Sequence, residues 1–192
     1  FLGDLISRAR PYAQRELQVL EDFAGQPTGN VVQPWDIAYH SEKLRQATYH
    51  FDQEELRPYF PLPRVLRGLF EIVNRLFGIT VTKSDADVWH PDVAFYEIRD
   101  EGGAIRGHFY LDLYARDHKR GGAWMAECVG RYHRPDNVVQ TPVAFLTCNF
   151  TQPLDGKPAL LTHDDVITLF HEFGHGLHHL LSLVEEPSVT GI

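Results

Sequence analysis

The run His171-Glu172-Phe173-Gly174-His175 brings two imidazoles and a carboxylate into five residues. On a helix, at about 100° and 1.5 Å per residue, His175 stands roughly 40° round and 6 Å along from His171, so both rings share a face. Two imidazoles so placed can reach one metal ion. Zinc takes imidazole nitrogens at about 2.0–2.1 Å in a tetrahedral shell, and a third protein ligand would leave one position for water. Glu172 falls roughly 60° from His175, where it can take a proton from that water without being a ligand. The spacing nominates His171 and His175 as metal ligands and Glu172 as the catalytic base. The competing reading is structural, with histidines bonded to carboxylates or backbone. Gly174 and Gly176 flank His175, and since each helix-interior glycine costs about 1 kcal/mol against alanine, a close approach is expected to demand both.

Nearby residues are weaker candidates. His178 has nearly the azimuth of His171 but lies about 10.5 Å further along, whereas two ligand nitrogens on one zinc sit within about 4 Å. His178 and His179 are therefore expected to face solvent or to stand behind the ligands. Position 181 is leucine, so no further histidine extends the motif to a metzincin. Glu185 and Glu186 read as a solvated pair, Arg116, Lys119 and Arg120 as a solvated basic loop, and Cys128 and Cys148 as structural thiols.

The elements that must hold the motif are readable in outline. Thr162 precedes His163-Asp164-Asp165, a capped and dipole-matched helix start. An apolar stripe of Val166, Leu169, Phe170, Phe173, Leu177, Leu180 and Leu181 then predicts a helix over 162–182. Leu66, Leu69, Phe70, Val73, Leu76 and Phe77 predict another, closed by Gly78. Helices are also expected over 11–24, with Pro11 in its first turn and Gly25 at its end, and over 35–49. A short one opens at Asp52 and is interrupted by 58–63. Alternation before and after 100–103 predicts a hairpin, and 143–149 a third strand. The expected class is α+β, mainly helical with a small antiparallel sheet. The expected organisation is a helical region over residues 1–78, a small β-containing region over 79–155 and the motif helix over 162–182.

The chain of 192 residues is 43% hydrophobic, which suits about one domain with a sizeable core and excludes global disorder. With 18 Lys and Arg against 26 Asp and Glu, the net charge of −8 argues against nucleic acid or anionic lipid as main partners. Two cysteines point to a reducing compartment. With no apolar run approaching about eighteen residues and no signal-like start, the chain reads as soluble rather than membrane-bound. A first residue other than methionine and an end at Gly191-Ile192 suggest a piece of something longer.

Several longer stretches carry a resemblance. Glu55-Leu-Arg-Pro-Tyr-Phe-Pro, Trp89-His-Pro-Asp-Val, Leu111-Asp-Leu-Tyr-Ala-Arg, Lys119-Arg-Gly-Gly-Ala-Trp-Met, Leu146-Thr-Cys-Asn-Phe and Pro158-Ala-Leu-Leu-Thr-His-Asp-Asp lead in order to the motif helix. Together they resemble the thimet oligopeptidase family of zinc peptidases from about Tyr12 to Ile192. The resemblance implies a zincin-like catalytic domain, of which 1–192 is a segment, in a cytoplasmic endopeptidase that cuts short unstructured peptides. It implies one Zn(2+) per complete active site, held by His171, His175 and a glutamate beyond Ile192, with Glu172 as base. Oxyanion donors would also lie downstream, so the chain alone is expected to be inactive until the remainder of the domain joins it. A sheet edge near the motif helix would pair with substrate main chain, and 143–149 resembles that region. The competing classes are a catalytically inert peptide-binding or assembly module that keeps the helix, and a zinc hydrolase acting on a different amide.

Overall fold

The computed structural model describes residues 1–28, 32–50, 53–154, 156–184, 186 and 188–190, apart from the side chains of 26–28 and 53. These fall into two compact units, 1–55 and 56–192.

In the first unit, helices α1 (Leu2–Thr28) and α2 (Ile37–Tyr49) pack together, with Leu20 and Ala24 of α1 buried. Helix α1 does not start at Pro11 or stop at Gly25 as expected. Leu2, Leu5, Ile6 and Ala9 extend the apolar spacing ahead of the proline, and Asp4 occupies the first turn, where the helix dipole favours an acid. The expected cap at Asp52 lies outside the described residues. A 3₁₀ helix (Gln53–Tyr59) runs through Pro58 instead of ending before it.

The second unit holds α3 (Leu62–Phe77), a sheet, and α4 (His163–Leu181). Gly78 caps α3 in the left-handed region (φ 64°), returning its N–H to the Asn74 carbonyl at 2.8 Å. The sheet comprises β1 (Thr80–Ser84), β2 (Ala94–Arg99), β3 (Ile105–Tyr114), β4 (Trp124–Val129) and β7 (Val143–Phe150), in the order β1-β2-β3-β7-β4. Short strands β5 (Tyr132–His133) and β6 (Val139–Gln140) form a separate pair. The expected hairpin is β2–β3, closed by an Asp100 side chain that accepts from Ala104 N–H at 2.9 Å.

The fold is α+β, but the sheet is mixed rather than antiparallel, because β7 runs parallel to β3. The chain passes from β3 to β4, then returns through β5 and β6 to insert β7 between them. That insertion also takes 143–149, the stretch whose resemblance pointed to a substrate-pairing region, away from the sheet's edge. Strand β7 is interior, with β3 on one side and β4 on the other, and β4 is the sheet's outer strand beside α4.

Helices α3 and α4 cover one face of the sheet. Leu62, Val65, Leu69 and Val73 from α3 join Phe109, Leu111, Ala144, Leu146, Leu169, Phe173 and Leu180 in one buried cluster. Among the described residues, no helix is long and apolar enough to cross a membrane.

Candidate metal centre

Helix α4 begins with a reciprocal cap. Thr162 Oγ1 accepts from Asp165 N–H at 3.0 Å, while the Asp165 carboxylate accepts from Thr162 N–H at 2.9 Å. The helix seats on the sheet through Leu169, Phe173, Gly176 and Leu180, all buried and all roughly 140–200° round from His171. Phe173 meets Phe109 edge-on, with centroids 5.5 Å apart. At Gly176 an added Cβ would stand 2.9 Å from Leu146 Cδ2, so this glycine answers a real close approach. Gly174 has nothing within 4 Å of the same position, and no described residue demands it.

Burying that face turns the opposite one outward, and the opposite face carries the motif. His171 Nε2 and His175 Nε2 are 3.1 Å apart, their rings crossed at 84°. Either one ring N–H donates to the other ring, or both lone pairs turn to a common ion. Two nitrogens on a tetrahedral zinc at about 2.0–2.1 Å lie roughly 3.4 Å apart, so the separation of the pair is close to that of two ligands on one ion. Both rings are exposed, which leaves an ion a way in. Among the described residues no group of three His, Cys, Asp or Glu side chains converges as a metal shell.

Glu172, half-buried, lies on the flank facing β4. There a groove of about 420 Å³ is lined by residues 123–127 together with Glu172 and His175. It therefore runs along an edge strand and ends on one of the paired imidazoles. The other flank, with Gly174 and His178, borders an apolar groove of about 650 Å³ between α3 and α4.

The remaining candidates divide. His178 is exposed, as expected, but His179 is completely buried, with Nε2 3.1 Å from the Val129 carbonyl oxygen. Its azimuth, about 80° from His171, is only about 20° from that of Glu172, which puts it on the flank that faces β4, a signal the helical geometry carried and the reading by axial distance missed. Glu186 is exposed, and Glu185 lies outside the described residues.

Arg116 and Lys119 do not form a solvated loop. Arg116 clamps both carboxylate oxygens of buried Asp112, at 2.6 and 2.8 Å. Lys119 Nζ approaches Asp112 Oδ1 and the carbonyls of Asp112, Tyr114 and Cys148 at 2.6–3.0 Å. Arg120 lies over the Trp124 ring, 5.5 Å from its centroid. Burial, reinforced by the Glu172 carboxylate, pushes the Cys148 thiol up to about 12, so it is inert at neutral pH. Cys128 is free and exposed on β4.

Comparison with known proteins identifies the family. The model of "Peptidase family M3" matches residues 1–192. The chain is 58% identical to oligopeptidase A of Salmonella typhimurium and 58% identical to that of Escherichia coli, over all of this chain and 28% of each relative. It is 52% identical to oligopeptidase A of Haemophilus influenzae, with the same coverage. The chain thus spans little more than a quarter of the length of these relatives. A capped helix presenting paired imidazoles beside a carboxylate-lined groove, and a family match along the entire sequence, lead to one assignment: this chain belongs to peptidase family M3.

Proposed function

We propose that this chain is the zinc-binding segment of an oligopeptidase that hydrolyses peptide bonds in short unstructured peptides, working in the cytoplasm. The observation that carries the reading is the 3.1 Å approach of His171 Nε2 and His175 Nε2 at the end of a groove that also holds Glu172. His171 and His175 would hold the zinc, with a glutamate from outside the 192 residues completing the protein ligands. Zinc bound there supplies Lewis acidity toward the substrate carbonyl and lowers the pKa of water.

The chain's own residues do the rest. The outer side of β4 offers main-chain N–H and C=O groups to an extended peptide, which gives affinity with little dependence on side chains. That strand and Glu172 line the same groove, so the bound main chain passes the carboxylate. Glu172 takes the proton of the attacking water and returns it to the departing amine nitrogen.

The test is Glu172→Gln in a polypeptide of full family length carrying this sequence. Zinc content should be unchanged and hydrolysis lost, because an amide cannot act as base. Undiminished turnover would remove Glu172 from the mechanism. An inert peptide-binding module would bind peptides on the same edge yet cleave none even with zinc and the full-length chain.

A further inference from the structure

One polar contact between α4 and the edge strand has no role in the chemistry above. His179 is 0% exposed, and since a carbonyl can only accept, its Nε2–H donates to Val129 O at 3.1 Å. Val129 closes a register shift in the β4–β7 ladder that falls between Glu127 and Val129. A bulge of this kind bends a strand and leaves one residue, here Cys128, out of the ladder. On its outer side β4 has no strand partner among the described residues to steady it. The His179 contact is a buried hydrogen bond that ties this end of β4 directly to the motif helix.

The chemistry of the position favours a purpose beyond filling space. With Nε2 donating, Nδ1 is left buried without a hydrogen-bond partner, its nearest charged neighbour being Glu127 Oε2 at 3.7 Å. A buried polar atom without a partner costs free energy. Leu169, Phe173 and Leu180 show that this helix uses apolar side chains where packing alone is needed. Glu127 in turn lines the groove with Glu172 and His175. The bulged end of β4, the groove wall and the motif helix thus meet around one imidazole.

We infer that His179 is a positioning residue for peptide binding: it holds the bulged end of β4 at a set distance from the helix carrying His171, Glu172 and His175, so that a peptide paired with the strand lies in reach of Glu172. The inference rests on the peptidase reading and adds to it the device that fixes the binding edge. It predicts a defect in substrate binding rather than in the proton transfer.

The experiment uses the full-length, zinc-loaded enzyme carrying this sequence, assayed with a short fluorogenic peptide. His179→Leu should raise KM about three- to tenfold, the worth of one lost hydrogen bond, with kcat and zinc content within about twofold. His179→Gln, whose amide N–H can reach Val129 O, should restore KM, while the shorter His179→Asn should not. In the 192-residue chain, amide exchange over residues 126–130 should quicken in the Leu and Asn variants and stay slow in the Gln variant. Unchanged KM in the Leu variant would overturn the inference. So would equal behaviour of the Gln and Asn variants, which also decides the matter if the Leu variant does not fold. If the unsubstituted enzyme binds zinc but cleaves no peptide, the peptidase reading itself is what fails.

Discussion

At Asp112, burial and charge pull in opposite directions. Burial raises the pKa of this 4%-exposed carboxyl, but hydrogen bonds from Arg116 and Lys119, with the Lys119 charge and Trp89 Nε1–H, hold it down to about 2. A depressed carboxylate contributes stability above its unfolded pKa, near 3.8, and loses it as pH falls through the folded value. The contribution is about 2 kcal/mol. It should disappear between roughly pH 4 and 2, so urea midpoints of the wild type should fall across that window, and Asp112→Asn should flatten this stretch of the profile. At neutral pH the same substitution leaves Lys119 and Arg116 facing an amide and should cost about 3 kcal/mol in a denaturation experiment. This cluster is close in sequence except for Cys148, but its burial was not legible locally. Arg116, Lys119 and Arg120 read as a basic loop because their sequence neighbours are polar, whereas the acceptors for Lys119 come from Asp112, Tyr114 and the distant Cys148.

At the scale of the element, α4 is where sequence and structure agree most fully. Its cap, its apolar stripe and the shared face of His171 and His175 all follow from helical geometry, which needs only local information. The two glycines show the limit of that logic. Gly176 meets Leu146, a residue thirty positions away on β7, while Gly174 meets nothing within 4 Å. Opposite outcomes are expected for the same substitution. Gly174→Ala should stabilise the 192-residue chain by up to about 1 kcal/mol through helix propensity. Gly176→Ala should destabilise it by about 1–3 kcal/mol, because the Leu146 side chain is itself buried and has little room to move. Thermal unfolding of the two variants side by side reads the difference. Thr162→Ala, which removes the reciprocal cap, should cost about 1 kcal/mol in the same measurement.

For the whole molecule, the features that sequence could not supply are those set by distant pairing. Alternation marked 143–149 as a strand, but not that it would enter between β3 and β4, and this placement leaves β4 rather than β7 at the sheet's edge. The β4 segment itself, with its Trp124, Ala126, Cys128 face and its shifted register, gave no clean period-two pattern to read. The same scale governs activity. Two imidazoles are the converging candidate ligands among the described residues, so the 192-residue chain alone should show little or no peptide cleavage when supplied with zinc. Chelator-sensitive turnover by this chain at the rate of a full-length family member would contradict that expectation.

The division of α4 into a buried side and a chemical side has a consequence for how such a chain can vary in length. Leu169, Phe173, Gly176 and Leu180 anchor the helix along the stretch that carries His171, Glu172 and His175. One residue inserted between Leu169 and Leu180 would turn one end against the other by about 100°, driving an imidazole toward Phe109 or a leucine into water. Insertions and deletions should therefore be excluded across these three turns, whereas the exposed stretch 151–154 can lengthen without turning the helix. The phase of a single helix, more than the identity of any one side chain, is the inheritance this protein has to protect.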